Sequence, residues 1–162
     1  MFKNFLVIAA VLYSACSHPA AEAADLPAKR TADERIFLVN CQSWNGINNP
    51  STTQTWSEMD WYSTDAKSQT GLSPDAAAKV ITSGHITWEG HQITGAFSDG
   101  NKFVSNIQSG AQNLANFKYA GYGSNNYHGF NCYKDDGRTL WGWEGGIGEG
   151  GASAGCQHLL LC

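Results

Sequence analysis

The chain has 162 residues, of which 10 are Lys or Arg and 14 are Asp or Glu, so its formal net charge at pH 7 is −4. This acidic balance argues against strong nonspecific binding to nucleic-acid phosphates, and the length suits one domain. Six Trp, six Tyr, seven Phe and 18 Gly are typical of a chain built from strands and turns.

The start of the chain has the features of an export signal. Lys3 precedes an apolar run over 5–15, and this run is too short to span a bilayer. Small residues follow it, and the A-E-A triplet at 21–23 offers a cleavage site. We therefore predict a signal peptide at 1–23.

The segment 24–30 ends in the dibasic pair Lys29-Arg30, which resembles the site of kexin-type processing in fungi. We predict that it is a pro-segment and that residues 31–162 form a single secreted, extracellular domain. This domain keeps seven basic and twelve acidic residues, a formal charge of −5. Its size is sufficient to bury roughly two-thirds of the surface of the unfolded chain.

Four of the five cysteines lie in the predicted mature domain, and Cys16 lies in the signal peptide. An even number in an exported chain predicts two disulfides. No C-x-x-C pair of the kind that binds zinc is present, so we predict disulfide bonds and neither a metal site nor a cofactor. Three pairings are open, and one of them would tie the two ends of the domain together. The four residues are Cys41, Cys132, Cys156 and Cys162.

The first half of the domain contains two predicted strands and a predicted helix. The segment "RIFLVNC" predicts a strand that ends at Cys41, and "TWSEMDWYS" predicts a second strand with apolar and polar residues. The segment "LSPDAAAKVITSG" predicts a helix over 74–83, with Ser73 as its N-cap and Gly84 as its stop.

The second half predicts strands separated by turns. "HITWE", "HQITGAF" and "KFVSNI" come first, with Asp99-Gly100 as a hairpin turn. After a loop that can hold a helical turn come "YHGFNCYKD", "GRTLWGW" and "CQHLLLC", with Asp136-Gly137 turning the first pair and a glycine-rich loop over 142–155. The predicted fold class is α+β: mainly antiparallel β-sheet with one short helix, stabilised by disulfides.

The segment "HITWEGH" at 85–91 has two interpretations. In a continuous strand, His85, Glu89 and His91 share one face. If Glu89-Gly90 is a hairpin turn, which the glycine favours, the two histidines need not share a face. A zinc site is therefore not favoured, and solvated strand residues are the plain interpretation.

Four polar residues follow one another along the predicted strands: His85, Glu89, Arg138 and His158. Their order resembles the layout of small fungal guanyl-specific ribonucleases. In that family a His or Glu base takes the ribose 2′-hydroxyl proton, an Arg steadies the phosphate, and a later His protonates the leaving oxygen. The resemblance implies Glu89 as base with His85 assisting, and Arg138 as phosphate clamp. It implies His158 as the acid. Nucleic acid is an expected partner only under this alternative.

A second resemblance covers roughly 36–162. "GYGSNNYHGFNCYKDDGRTLW", with "LVNC" upstream and a closing strand ending in Cys, resembles uncharacterised small cysteine-containing secreted proteins of filamentous ascomycete fungi. "FNCYKDDGR" is its most recognisable part. The resemblance implies an extracellular, disulfide-stabilised protein of effector or toxin type, and it transfers no catalytic residues.

Aromatic residues beside loops rich in Gly and Asn give a third hypothesis, sugar binding. Trp141, Trp143 and Tyr127 are the predicted ligand-binding residues, with Trp44 and Tyr122 in similar settings. An exposed ring stacks on a sugar face while Asn and Asp accept hydrogen bonds. The alternative is that these rings pack in the core, as most aromatic residues of a small β domain do.

The preferred prediction is a secreted, monomeric protein that binds a host or competitor protein or glycan outside the cell, with no membrane contact. Catalysis is the less favoured hypothesis. The alternatives are a ribonuclease-fold enzyme, which requires the four candidate catalytic residues to converge, and a carbohydrate-binding module, which requires exposed aromatic side chains on one face.

Overall fold

The computed structural model describes residues 33–45, 54–144 and 152–162. The predicted signal peptide and pro-segment lie outside these residues, as does the middle of the glycine-rich loop. The described elements, in chain order, are β1 (Arg35–Asn45), β2 (Gln54–Tyr62), α1 (Asp65–Ser68), β3 (Ala76–Ile81), β4 (Gln92–Ala96), β5 (Lys102–Ile107), a 3-10 helix (Ala111–Asn113), β6 (Tyr119–Asn125), β7 (Gly129–Lys134), β8 (Thr139–Glu144) and β9 (Ala152–Leu161).

The strands form one antiparallel sheet in the order β3-β2-β1-β9-β7-β6-β5-β4, and β8 pairs with β9 beside this path. The edge strands β3 and β4 contact each other, so the sheet is nearly closed and barrel-like. The predicted antiparallel sheet is confirmed. The α+β label holds only in part, because the one α-helix among the described residues is four residues long.

Two clusters of buried side chains lie on opposite faces of β1. Ile36 and Leu38 belong to the cluster that fills the barrel, whereas Phe37 and Val39 belong to a second cluster that includes a buried side chain of β8. A strand covered on both faces reads as a continuous apolar run, which explains the sequence "IFLV".

The two predicted disulfides are present. Cys41 pairs with Cys156, and Cys132 pairs with Cys162. The first joins β1 to β9 at directly opposed positions, and the second joins β7 to the residue that follows β9. The bridge between the two ends of the domain is therefore not the one that forms.

The predicted helix over 74–83 is wrong, because Ala76–Ile81 is strand β3, paired with β2. Asp75, expected to favour a helix start, instead accepts the Ser63 N–H and pairs with Lys67. Pairing with a distant strand outweighs a local capping signal. The α-helix lies earlier, with Thr64 as its N-cap. In the part of the chain that the structure describes, no helix is long and apolar enough to cross a membrane.

Other strand predictions have mixed outcomes. The strands at β1, β2, β4, β5, β7, β8 and β9 are confirmed, as are the Asp99-Gly100 hairpin between β4 and β5 and the helical turn before β6. "HITWE" is not a strand and makes only an isolated bridge, Glu89 to Ile107, so it forms no hairpin with β4. Asp136-Gly137 links β7 to β8 without pairing them, since both pair with β9. Strand β6 was predicted to be loop.

Candidate functional site

An open groove of about 520 Å³ lies on the exposed face of the sheet where β4, β5 and β6 meet. It is lined by 90–92, by 106–109 and by Tyr119, Gly121 and Tyr122 of β6. These segments lie side by side because β5 pairs with both β4 and β6. Tyr119 is 49% exposed and Tyr122 is 56% exposed, so both rings are available to a ligand.

One tyrosine and three amide side chains form a row across four strands. Gln92 lies opposite Asn106, Asn106 opposite Tyr122, and Tyr122 opposite Asn131. Opposed residues face the same side of a sheet, about 5 Å apart. The row therefore presents a phenol ring flanked by amide groups over about 15 Å.

A β-bulge in β6 brings Tyr119 to the same exposed side as Tyr122. Residues three apart in a regular strand face opposite sides, but the register of β6 shifts between Tyr119 and Gly121. Gly121 permits the close approach of β5, because a Cβ there would lie 2.3 Å from the Asn106 carbonyl oxygen. The Tyr119 ring packs edge-on against Tyr133, with 6.2 Å between centroids.

Glu89, which the ribonuclease layout assigns as base, stabilises one wall of the groove. The carboxylate of Glu89 accepts the N–H groups of Gly110 and Gln112, at 2.9 and 2.7 Å. The neighbouring Gly90 donates its N–H to the Ile107 carbonyl, and Gln108 donates its N–H to the Ala120 carbonyl. These bonds fix the wall formed by residues 106–109, so the groove exists before a ligand arrives.

The groove is neutral apart from one imidazole. Its ten lining residues include His91, two tyrosines and polar amide or hydroxyl side chains, but neither Lys, Arg, Asp nor Glu. A phosphate ligand would find no fixed cation there. Two carboxylates flanking a bond, as glycoside hydrolysis requires, are also missing from this lining.

The four candidate catalytic residues have separate roles in the described contacts. The His85 ring lies 2.9 Å from the Cys41 carbonyl oxygen, and Glu89 holds the groove wall. Arg138 and His158 are neighbours, since the His158 N–H donates to the Arg138 carbonyl, and the Arg138 guanidinium donates to Gln69. The structure thus brings Arg138 and His158 together, whereas His85 and Glu89 each contact main-chain groups in other parts of the fold.

The imidazole of His158 is fully buried between two carboxylates. Its Nδ1 lies 2.5 Å from Asp135 Oδ2, and its Nε2 lies 3.3 Å from Asp136 Oδ1. The Phe37 ring packs edge-on against it. His, Asp and Asp are metal-ligand types, and their ligand atoms lie within 4.8 Å of one another. The described contacts therefore place each ring nitrogen of His158 beside a carboxylate inside the scaffold, away from the groove.

The three predicted sugar-binding aromatics fall in different settings. Trp141 is half-buried against the second core and donates its Nε1–H to Asp60 at 2.7 Å. The main chain of Trp143 lies in β8 opposite Ala154, and its side chain is outside the described residues. Tyr127 is 41% exposed in the turn between β6 and β7, and it is not among the groove-lining residues.

A pair of buried acids lies beside the Cys41–Cys156 disulfide. One Glu58 carboxylate oxygen is 3.5 Å from each sulfur. Burial raises the pKa of Glu58, although nearby Lys79 opposes this shift. Burial and the charge of Glu58 raise the pKa of Asp60 well above its usual value. These sulfurs are bonded to each other, so the cluster of Cys41, Glu58 and Cys156 cannot serve as a thiolate metal site.

Little in the sequence indicates most of the residues that line the groove. Tyr122 was among the candidate sugar-binding aromatics, but Tyr119, Asn106 and Gln92 were not. Their shared site depends on the pairing of β4, β5 and β6, and on a bulge that local alternation does not show. The useful signal was "KYAGYG", in which glycines alternate with tyrosines, as expected where the backbone of a strand packs closely.

The fold and the groove together define a two-disulfide, barrel-like β-sheet protein with an exposed aromatic and amide surface. Comparison of the chain with protein-family models, with curated proteins and with solved structures gave no match. Function is therefore inferred from the chain's own residues.

Proposed function

We propose that this protein binds a neutral glycan in the groove formed by β4, β5 and β6, as a binding protein and not a hydrolase. The observation that carries the proposal is the row of Gln92, Asn106, Tyr122 and Asn131, with Tyr119 on the same exposed side. The proposal keeps the carbohydrate-binding hypothesis and moves its site from Trp141 and Trp143 to β6.

The chemistry of the row suits a sugar. Exposed aromatic faces attract the C–H groups of a pyranose ring, and amide groups both donate and accept the hydrogen bonds of vicinal hydroxyls. A site of a few polar groups around apolar surface is also the usual form of a small-ligand site. The amides of Asn106 and Asn131 flank Tyr122 at the spacing of neighbouring strands, so one sugar stacked on the ring is within reach of both.

The electrostatics favour a neutral ligand over a nucleic acid. The lining holds no Lys or Arg, and single-stranded nucleic-acid sites combine stacking rings with a positive groove. The ribonuclease alternative is also weakened by the full burial of His158 between Asp135 and Asp136, because a general acid must reach the leaving oxygen.

The setting that we propose for this activity is extracellular, with the chain acting as a secreted monomer of effector or toxin type on a host or competitor glycan. Two disulfides are compatible with an oxidising compartment and support this setting. Mass spectrometry of protein recovered from culture medium tests it, because the proposal requires both disulfides and cleavage after Arg30.

The binding test uses the oxidised protein and hexamers of β-1,4-linked glucose, xylose, mannose and N-acetylglucosamine. Calorimetric titration is expected to detect at least one of them, and Tyr122→Ala is expected to weaken that Kd at least tenfold. Tyr127→Ala is the matched control, since it removes an exposed tyrosine outside the groove and is expected to leave the Kd unchanged.

Two outcomes would reject this proposal. One is that none of the four hexamers binds to the folded wild-type protein. The other is that Tyr127→Ala, and not Tyr122→Ala, abolishes binding, which would restore the site predicted from the loop aromatics.

A further inference from the structure

Phe117 combines two unfavourable features. Its backbone is in the left-handed region, with φ of 64°, and it is the one described non-glycine residue with positive φ. Its side chain is 64% exposed, the largest exposed fraction among the described large hydrophobic residues. A bulky residue in this conformation is uncommon and costs free energy, and an exposed Phe gains little from folding.

Hydrogen bonds around Phe117 explain the backbone. The Phe117 N–H donates to the Lys134 carbonyl, the Lys134 N–H donates to the Lys118 carbonyl, and the Lys118 N–H donates to the Ala115 carbonyl. Two residues, Phe117 and Lys118, therefore oppose one residue of β7 directly after a tight turn. This is a bulge whose first position is usually glycine, because it needs positive φ. The fold would accept glycine at 117.

The position of Phe117 links it to the groove. It precedes Tyr119 by two residues, and its main chain bonds to the residue that follows Tyr133. Tyr119 lines the groove and packs edge-on against Tyr133. Phe117 therefore adds an exposed aromatic residue next to the Tyr119 end of the groove.

We infer that Phe117 is a further stacking residue and that the ligand is an oligosaccharide long enough to reach from Tyr122 past Tyr119 to Phe117. This inference rests on the proposed glycan-binding function. Tyr119 and Tyr122 lie opposite Tyr133 and Asn131, which are two residues apart on β7, so the two tyrosines are separated by about 7 Å along the strand. Phe117 precedes Tyr119 by two residues. A single sugar cannot contact all three rings, whereas a flat, β-1,4-linked chain can lie along them.

The test compares the trimer and the hexamer of whichever of the four sugars binds in the screen. The wild type is expected to bind the hexamer about tenfold more tightly than the trimer. Phe117→Gly is expected to bind the trimer as tightly as the wild type does but to bind the hexamer no more tightly than the trimer. Phe117→Tyr is expected to keep the hexamer gain, meaning the tighter binding of the hexamer relative to the trimer. Leu72→Ala, which removes another exposed apolar side chain, is the control and should keep the gain.

Thermal unfolding separates a binding role from a structural one. Phe117→Gly is expected to have a Tm equal to or above that of the wild type, because glycine adopts positive φ without strain. A lowered Tm, or an unchanged hexamer gain in Phe117→Gly, overturns the inference while leaving the groove itself intact. Absence of binding to every sugar rejects the proposed function and this inference with it.

Discussion

Two groups of strands in the sheet, which we call the clamped side and the groove side, differ in whether their polar side chains are buried or exposed. On the clamped side, formed by β1, β2, β8 and β9, acids such as Glu58 and Asp60 and the imidazole of His158 are buried. On the groove side, formed by β4, β5, β6 and β7, neutral groups such as Asn131 and Tyr122 face outward. The contrast teaches that the clamped side buries ionisable groups within the scaffold, whereas the residues that line the groove include no Lys, Arg, Asp or Glu.

The disulfides offer the largest expected effects: one lies within the clamped side, and the other joins β7 of the groove side to the residue after β9. Replacing both Cys41 and Cys156 by Ala opens a loop of sequence separation 115 and is expected to cost about 4–5 kcal/mol in the free energy of unfolding. Replacing Cys132 and Cys162 opens a separation of 30 and should cost about 3–4 kcal/mol. All four cysteines are buried, so cavity costs are similar and the difference reflects loop length. Urea unfolding measures both values.

The order of these two losses is the informative result. A larger loss for the Cys132–Cys162 pair would mean that the junction of β7 and β9, and not the β1–β9 pair, anchors the scaffold. The reduced wild type provides the control for both variants, since it lacks both bridges without a change in sequence.

On the groove side the largest effect is expected at Gly121. In Gly121→Ala the new methyl group would overlap the Asn106 carbonyl oxygen and the Ile107 backbone, at 2.3 and 2.9 Å. We expect a loss of about 3 kcal/mol in the free energy of unfolding, because neither backbone contact can move without separating β5 from β6. Gly137→Ala is the control: its φ is also positive but nothing lies within 4 Å, so a loss of about 1 kcal/mol is expected. Equal losses would contradict the steric explanation.

The comparison also explains what the sequence could predict. The continuous apolar run in "RIFLVNC" and the alternating segment "KFVSNI" both predicted strands correctly, since each pattern is encoded locally. The helix over 74–83 failed because Asp60 pairs with Ala77 from seventeen positions away, outside the window that a capping signal covers. Strand β6 was missed because its glycines, needed beside Asn106 and Phe103, have low strand propensity.

The site was less predictable than the fold for the same reason. The groove is assembled from three chain segments, and their adjacency follows from the order β6-β5-β4. Sequence inspection instead ranked residues by chemical type, which selected His85, Glu89 and His158. Glu89 and His158 form internal hydrogen bonds or ion pairs, so their chemical type indicated scaffold stability as readily as catalysis.

The smallest predicted effect is a pH dependence that belongs to the clamped side. Burial and the charge of Glu58 raise the pKa of Asp60, so the folded chain holds this proton more tightly than the unfolded chain. Its contribution to stability is complete below the ordinary pKa of 3.8 and is lost as the pH rises through the folded-state pKa. Asp60→Asn lacks this titration and can still accept the Trp141 Nε1–H. We therefore expect the variant to be more stable than the wild type at pH 7 and to lose that advantage towards pH 3.8.

Asp75 supplies a control of opposite sign. Its burial alone would raise its pKa, but hydrogen bonds from Lys67 and from Ser63 outweigh this and lower it. Asp75→Asn should therefore be less stable than the wild type at pH 7, with a difference that shrinks as the pH falls below 3.8. Urea unfolding between pH 3 and pH 8 measures both variants. If Asp60→Asn were instead less stable than the wild type at pH 7, the Asp60 carboxylate would stabilise the fold, which contradicts the direction of its pKa shift.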